Sequence, residues 1–336
     1  MLYSEKLSLK SYIFPCTSPN PIAIVPLRQY TSFIHCRYAW YLSYRADCSQ
    51  VWPGAGVEGL GIRLKDAHLP NPIKLGAIWD TFQNAYYNHE RFSPDVLMEL
   101  CDRYDLDDGN TAKMFALVRA WHKMKFTIDL EGAEPQYEFK FKQTEFMKRP
   151  FEFHGIMDVK FPEYIVENKL SGSPKRFQKV FNFHDQAATY LLAHPDAKSI
   201  IIRAVQAPML KLGKAEDSEA FRDRIVKDII SRPSHYFLGY DREKGDFGIR
   251  FWRGEFDIEG LQKDFEHVFE DIGACVQDRG RCYQDKLSCY VPTQCMYLPV
   301  CETGGVSDTL YKPKQAQTKA AEAATVPQEV VEDEDN

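Results

Sequence analysis

At about residue 135 the chain changes its repeat. Before that point apolar residues recur at helical spacing, first as Phe33, Cys36, Trp40 and Tyr44 after a Thr31 or Ser32 cap, then in segments at about 76–87, 94–104 and 111–126. After it, 136–146 and 151–160 alternate and are rich in aromatics, as half-buried strands require, and 164–169 makes a third. Only Phe161-Pro162-Glu163 separates the last two, which predicts an antiparallel hairpin. A helix at about 179–193, a buried strand at 199–206 and a helix at 217–230 follow. Short strands near 236–240 and 248–252 and an amphipathic helix from Ile258 to Ile272 complete the pattern. Helix, three strands, helix, strand predicts the α/β class: a mixed central sheet flanked by helices.

Around this core the sequence divides into an irregular lead-in (1–27, with Pro15, Pro19, Pro21 and Pro26), a helical N-terminal region (28–134), the core (135–274), a Cys-rich segment (275–305) and a tail (306–336). The tail is rich in Ala, Glu and Lys and ends Glu332-Asp333-Glu334-Asp335, a composition that cannot offset ordering entropy, so it is expected to be disordered. No apolar run approaches the ~20 residues of a membrane helix, and MLYSEKLSLKSYIFP lacks the charged-then-apolar pattern of a secretory signal. The expectation is a cytoplasmic protein with no membrane partner. The net charge of −6 excludes a histone-like polycation but not a locally basic groove.

The hairpin carries the chemistry. His154-Gly155-Ile156-Met157-Asp158 is followed, after eight intervening residues, by Glu167-Asn168-Lys169. On a tight hairpin Asp158 and Glu167 lie close together, and Glu167 and Lys169, two apart, share a face. Two carboxylates that close repel unless a cation lies between them. Oxygen ligands of this kind suit Mg²⁺ or Mn²⁺, with a backbone carbonyl of Asn168 as a further ligand. Read alone, the same residues also describe a surface ion-pair cluster. Gln186 and Tyr190, four apart on the next helix, lie on one face and either support the site or belong to core and rim.

Nine cysteines are unevenly spread. In a reducing compartment they do not read as a disulfide framework. Five fall between 275 and 301, and Cys289, Cys295 and Cys301 are separated by two equal gaps of five residues. Pro292 and Pro299 lie within, so an irregular wrap is expected. Three thiolates are one short of a zinc or iron–sulfur site.

Together these pieces resemble the PD-(D/E)XK nuclease superfamily, in particular its RecB-like branch, over roughly residues 28–302. Gly155-x-x-Asp158, Glu167-x-Lys169 and Gln186-x-x-x-Tyr190 stand in that family's order, and the resemblance implies a restriction-endonuclease-like core. The branch carries a metal-ligating histidine after a glycine on an N-terminal helix; Gly76-Ala77-Ile78-Trp79-Asp80 is the corresponding stretch, with Asp80 where histidine is usual. Relatives of the AddB and CRISPR-associated types hold a four-iron, four-sulfur (4Fe-4S) cluster on one N-terminal and three C-terminal cysteines. The resemblance therefore implies Cys36, Cys289, Cys295 and Cys301 as its ligands, with Cys282 a rival for the fourth position, Cys275 structural and zinc the alternative metal.

What the resemblance implies is a DNA exonuclease of recombination, repair or phage DNA metabolism, with single-stranded DNA as a candidate substrate. In it Asp158, Glu167 and Asp80 hold Mg²⁺ or Mn²⁺, Lys169 assists the attacking water, and Gln186 and Tyr190 support the site. Lys175, Arg176 and Lys179, just after the hairpin, are the best DNA contacts, while the strand phenylalanines read as core. The chain has no G-x-x-x-x-G-K-[ST] loop, so unwinding would need a partner helicase or recombination protein. Two alternatives remain: a nuclease-fold DNA-binding protein that cuts nothing, and a zinc-stapled interaction protein.

Overall fold

The computed structural model describes residues 23–26, 62–143, 151–180, 185–277, 295–303 and 310–313. The chain divides into two compact units, and the larger spans Pro15–His35 and Lys65–Arg281. Its sheet contains β1 (Ala23–Pro26), β3 (Glu134–Gln143), β4 (Phe151–Lys160), β5 (Tyr164–Ser171), β6 (Ser199–Gln206) and β7 (Ile249–Trp252). The hydrogen-bonded path runs β1-β4-β5-β6-β7, with β3 also pairing β4. β4 is antiparallel to β3 and β5, β5 is parallel to β6, and β7 closes antiparallel on β6. The sheet is therefore mixed, as the pattern predicts. The parallel β5–β6 pair requires a crossover, which the segment containing α4 (Phe177–Val180) and α5 (Asp185–Ala193) supplies.

Three helices precede the strands: α1 (Asn71–Tyr87), α2 (Pro94–Arg103) and α3 (Asp108–Met124). Local chemistry sets their starts. Ser93 Oγ accepts from Val96 N–H at 3.3 Å and Asp107 Oδ1 from Asn110 N–H at 2.7 Å, each satisfying an orphan amide. Pro72 and Pro94 sit in first turns, where a missing N–H costs nothing. These helices and α6 (Ser218–Ser231) bury one core against Val159, Val166 and Val205 of the sheet. Its centre is aromatic: Trp79 and Trp121 meet edge to face at 5.5 Å, and Phe126, Phe237 and Phe247 pack beside them. Helix α5 packs against β3 and β6, and α8 (Ile258–Gln277) packs on α5.

Among the described residues, no helix is long and apolar enough to cross a membrane. Four stretches differ from expectation. Ala23–Pro26 is a strand within the Pro-rich lead-in, because β4 offers it a parallel partner; its proline stands at the strand end, where the missing donor is tolerated. The strand expected near 236–240 is instead a helical turn, α7 (Pro233–Tyr236), begun by Pro233 and followed by a single bridge from Phe237 to Val205. The Cys-rich wrap contains a helix, α9 (Leu298–Thr303); Pro299 lies in its first turn, so it does not break it. In the tail, β8 (Tyr311–Pro313) pairs antiparallel with β2 (Ile62–Leu64), and Tyr311 is fully buried. The last two belong to the smaller unit, which draws on both ends of the chain (Met1–Phe14, Cys36–Leu64, Cys282–Asn336).

Candidate functional site

The site forms where β4 leaves its neighbours. Pairing between β4 and β5 covers Val159↔Val166 and Lys160↔Ile165. The next positions in that register are Asp158 and Glu167, and there the ladder stops. On the other edge, β3 pairs Pro135↔Val159 and Tyr137↔Met157 but skips Gln136, which faces Asp158 in the register. Gln136 has φ of 49°, a left-handed conformation costing a non-glycine residue about 1 kcal/mol or more. Asp158 thus stands at a break in both ladders. Its Oδ2 accepts from the Asn168 N–H at 2.8 Å, so a side chain closes the gap that the strands leave.

Glu167 and Lys169, alternate residues of β5, share a face as expected, and the Lys169 ammonium is paired with Glu167 Oε1. The Glu167 side chain is 2% exposed and that of Lys169 29%, so the carboxylate lies at the bottom of the slot and the ammonium at its mouth. Glu167 Oε2 and Asn168 Oδ1 are buried without a hydrogen-bond partner. Burial raises the Glu167 pKa above the usual carboxylate range, Lys169 opposes that, and the charge of Asp80 on α1 adds to it. Burial pulls Lys169 down, but Glu167, Asp158 and Asp80 more than offset it and hold the amine above its ordinary value. Three acidic side chains therefore act on one ammonium. This collects Asp80, Asp158, Glu167 and Lys169 in one neighbourhood, joined by the Asn168 backbone amide; the Asn168 side chain lies on the other face of β5.

Gln186 and Tyr190 have a different place. Gln186 Nε2 donates to the Tyr190 hydroxyl at 2.6 Å, and that hydroxyl donates to the Ile156 carbonyl at 2.7 Å. Together they pin β4 two residues before Asp158. Phe139 of β3 meets Tyr190 edge to face at 5.7 Å and lies directly over Gly155. A Cβ on Gly155 would stand 2.2 Å from Phe139 Cζ, so the glycine is a packing requirement of this clamp.

Lys175 and Arg176 lie on the 3-10 turn Pro174–Arg176, exposed and packed on the ends of β5 and β6; Arg176 also covers the Phe177 ring at 5.3 Å. Lys179 follows on α4. Cys36, Cys282 and Cys289 lie outside the described residues, and Cys275 is in the last turn of α8. Cys295 and Cys301 are both close enough to Tyr311 to help burial and Tyr297 raise its pKa.

Two features escaped the sequence reading. Arg203 of β6, the ladder neighbour of Asn168, is 5% exposed; it donates to the Tyr87 hydroxyl at 2.7 Å and forks onto Asp246 at 3.3 Å. An arginine inside Ile200-Ile201-Ile202-Arg203-Ala204-Val205 was the available signal. Gln83, three residues after Asp80 on α1, is buried with neither amide atom hydrogen-bonded.

The donor set suits a hard divalent cation: the carboxylates of Asp80, Asp158 and Glu167, with Glu167 Oε2 unsatisfied. Asp158, Glu167 and Asp80 are the residues that would hold it. Among the described residues, no three His, Cys, Asp or Glu side chains already converge on one ion position. Glu167 Oε1 is engaged by Lys169 and Asp158 Oδ2 by the Asn168 amide.

No protein-family model matches the chain, and no curated protein matches it. Among solved structures it is similar to one titled "Crystal structure of SSO0001", at 15% identity and a TM-score of 0.21, over 47% of this chain and 72% of that one. At that score the likeness carries no argument about fold or function, and the site has to be read from its own residues.

Proposed function

We propose that this chain is a metal-dependent DNA nuclease built on a restriction-endonuclease-like core. One observation carries the reading: Glu167 pairs with the Lys169 ammonium, and Asp158 and Asp80 are near enough for their charges to act on the same ammonium, at the point where β4 and β5 part. Three carboxylates against one amine leave a charge excess that a divalent cation would neutralise. A Mg²⁺ or Mn²⁺ ion bound there would supply water activation and charge stabilisation for phosphodiester hydrolysis.

The chain's own residues do the rest. Lys169, held protonated at the slot mouth, orients the attacking water and screens the phosphate charge from the carboxylates. Asn168 fixes Asp158 through its backbone amide. Gln186 and Tyr190 act as positioning residues through the Ile156 carbonyl. Lys175, Arg176 and Lys179 supply backbone contacts with DNA, which predicts salt-sensitive binding. Cys295 and Cys301 neighbour Tyr311 in the smaller unit; with Cys36 and Cys289, which lie outside the described residues, they would supply the four thiolates of an iron–sulfur cluster, or of a zinc site.

The test is cleavage of end-labelled single- and double-stranded DNA with Mg²⁺ or Mn²⁺. Wild-type protein cuts; Asp158→Asn and Lys169→Met lose the activity while keeping wild-type circular dichroism. A folded wild-type protein that binds DNA but cuts nothing with either ion would support the second reading, a nuclease-fold DNA-binding protein, which the engagement of Glu167 by Lys169 and the aspartate at position 80 favour.

A further inference from the structure

A second site lies away from the carboxylates, between α2, α3 and α6. A cavity of about 570 Å³ opens there, inside the range of roughly 300–1,000 Å³ typical of small-molecule pockets. Its floor is apolar: Leu97 and Val118 are buried, and Phe92 and Phe115 half-buried. Its rim is rich in basic side chains: Arg119, Lys123 and Lys125 are exposed and Arg222 is half-buried, with His122 beside them and Glu219 as the one acid of the lining. Arg119 is neutralised by Asp223 at 2.6 Å. Lys123 and Lys125 make no ion pair among the described residues, a local positive excess on a chain of net charge −6.

We propose that this cavity binds an amphipathic organic anion: an apolar acyl or aryl body on the Leu97/Val118 floor, with a carboxylate or phosphate head between Lys123 and Lys125. Burial of the body supplies the driving force, and the unpaired ammoniums select the sign of the head group. A nucleic-acid strand fits less well. Arg222 already covers a face of the Phe115 ring at 5.6 Å, and both Phe115 and Phe92 are half-buried, which leaves little ring face for stacking successive bases. Glu219 also opposes a continuous polyanion.

The experiment uses the full chain, with laurate as probe below its micelle concentration and dodecyltrimethylammonium as the charge-reversed control, read by titration calorimetry. Laurate binds saturably at one site per chain, and the cationic control binds at least about tenfold more weakly. Lys123→Glu/Lys125→Glu, both exposed and outside the core, weakens laurate by roughly tenfold or more. Val118→Trp, which fills the floor, abolishes binding with circular dichroism unchanged. Asp158→Asn leaves binding intact, so the inference stands or falls apart from the nuclease reading. It is overturned by absence of saturable binding, by equal binding of the two amphiphiles, by insensitivity to the lysine reversals, or by displacement of laurate with oligothymidylate.

Discussion

Removing the Lys169 charge exposes how the slot is held. In Lys169→Met, Glu167 keeps its burial and loses its ammonium partner, and the neighbouring Asp80 charge still raises its pKa. An isolated buried carboxylate responds by taking up a proton. The unfolded chain ionises near 4.5, so every pH unit above that adds about 1.4 kcal/mol to the cost of keeping the folded carboxyl neutral. The ceiling on the loss is then about 1.4 kcal/mol at pH 5.5 and about 5 kcal/mol at pH 8, the latter matching the ~3–5 kcal/mol typical of breaking a buried pair. The sign follows from proton counts: the folded variant holds a proton that the unfolded chain releases, so stability falls as pH rises through this window. Glu167→Gln behaves differently. Lys169 keeps Asp158 and Asp80 and is the more exposed partner, so the loss stays within about 1–2 kcal/mol. Urea denaturation of both variants at pH 5.5 and pH 8 decides it. A Lys169→Met loss independent of pH, or equal losses in the two variants at pH 8, would refute the picture of a carboxylate at the bottom of the slot.

Gly155→Ala forces a methyl group to within 2.2 Å of the Phe139 ring and is expected to cost about 1–3 kcal/mol, falling toward zero in a Phe139→Leu background; thermal melts of the four proteins form the cycle. Tyr190→Phe leaves the Ile156 carbonyl and the Gln186 amide without their shared partner, a loss of about 1–3 kcal/mol by denaturant titration; if the pair positions β4, DNA cleavage falls through kcat with KM nearly unchanged. Arg203→Met removes the donors to Tyr87 and Asp246 and is expected to lower stability by about 2–4 kcal/mol, with Arg203→Lys restoring less than half because one ammonium cannot reproduce the fork.

Much of the core was legible because its signals are local. The three-residue turn at Phe161-Pro162-Glu163 sets the hairpin register, and from Val159↔Val166 the facing of Asp158 and Glu167 follows by counting. The period-two rule placed Glu167 and Lys169 together. What could not be read depends on distant chain. Ala23–Pro26 is a strand only because β4 is there to pair with it. Gln136 takes its left-handed backbone where two ladders break, which no local pattern announces. Tyr236–Tyr240 looked like a strand from its aromatics, yet Pro233 and a positive φ at Gly239 shape it into a helical turn and bend. The cationic cavity joins residues more than a hundred positions apart, as the Arg119–Asp223 pair shows. Gln186 and Tyr190 were recognisable as a pair, but their hold on the Ile156 carbonyl needed the fold.

The account rests on a divalent ion between Asp80, Asp158 and Glu167, and Mn²⁺ binding followed by electron paramagnetic resonance examines that without reference to any substrate. Titration of the wild-type chain should show at least one bound Mn²⁺ that Mg²⁺ displaces, and Asp158→Asn and Glu167→Gln should each lose it while remaining folded. Mn²⁺ bound equally by wild type and both variants, or by none of them, would contradict the assignment.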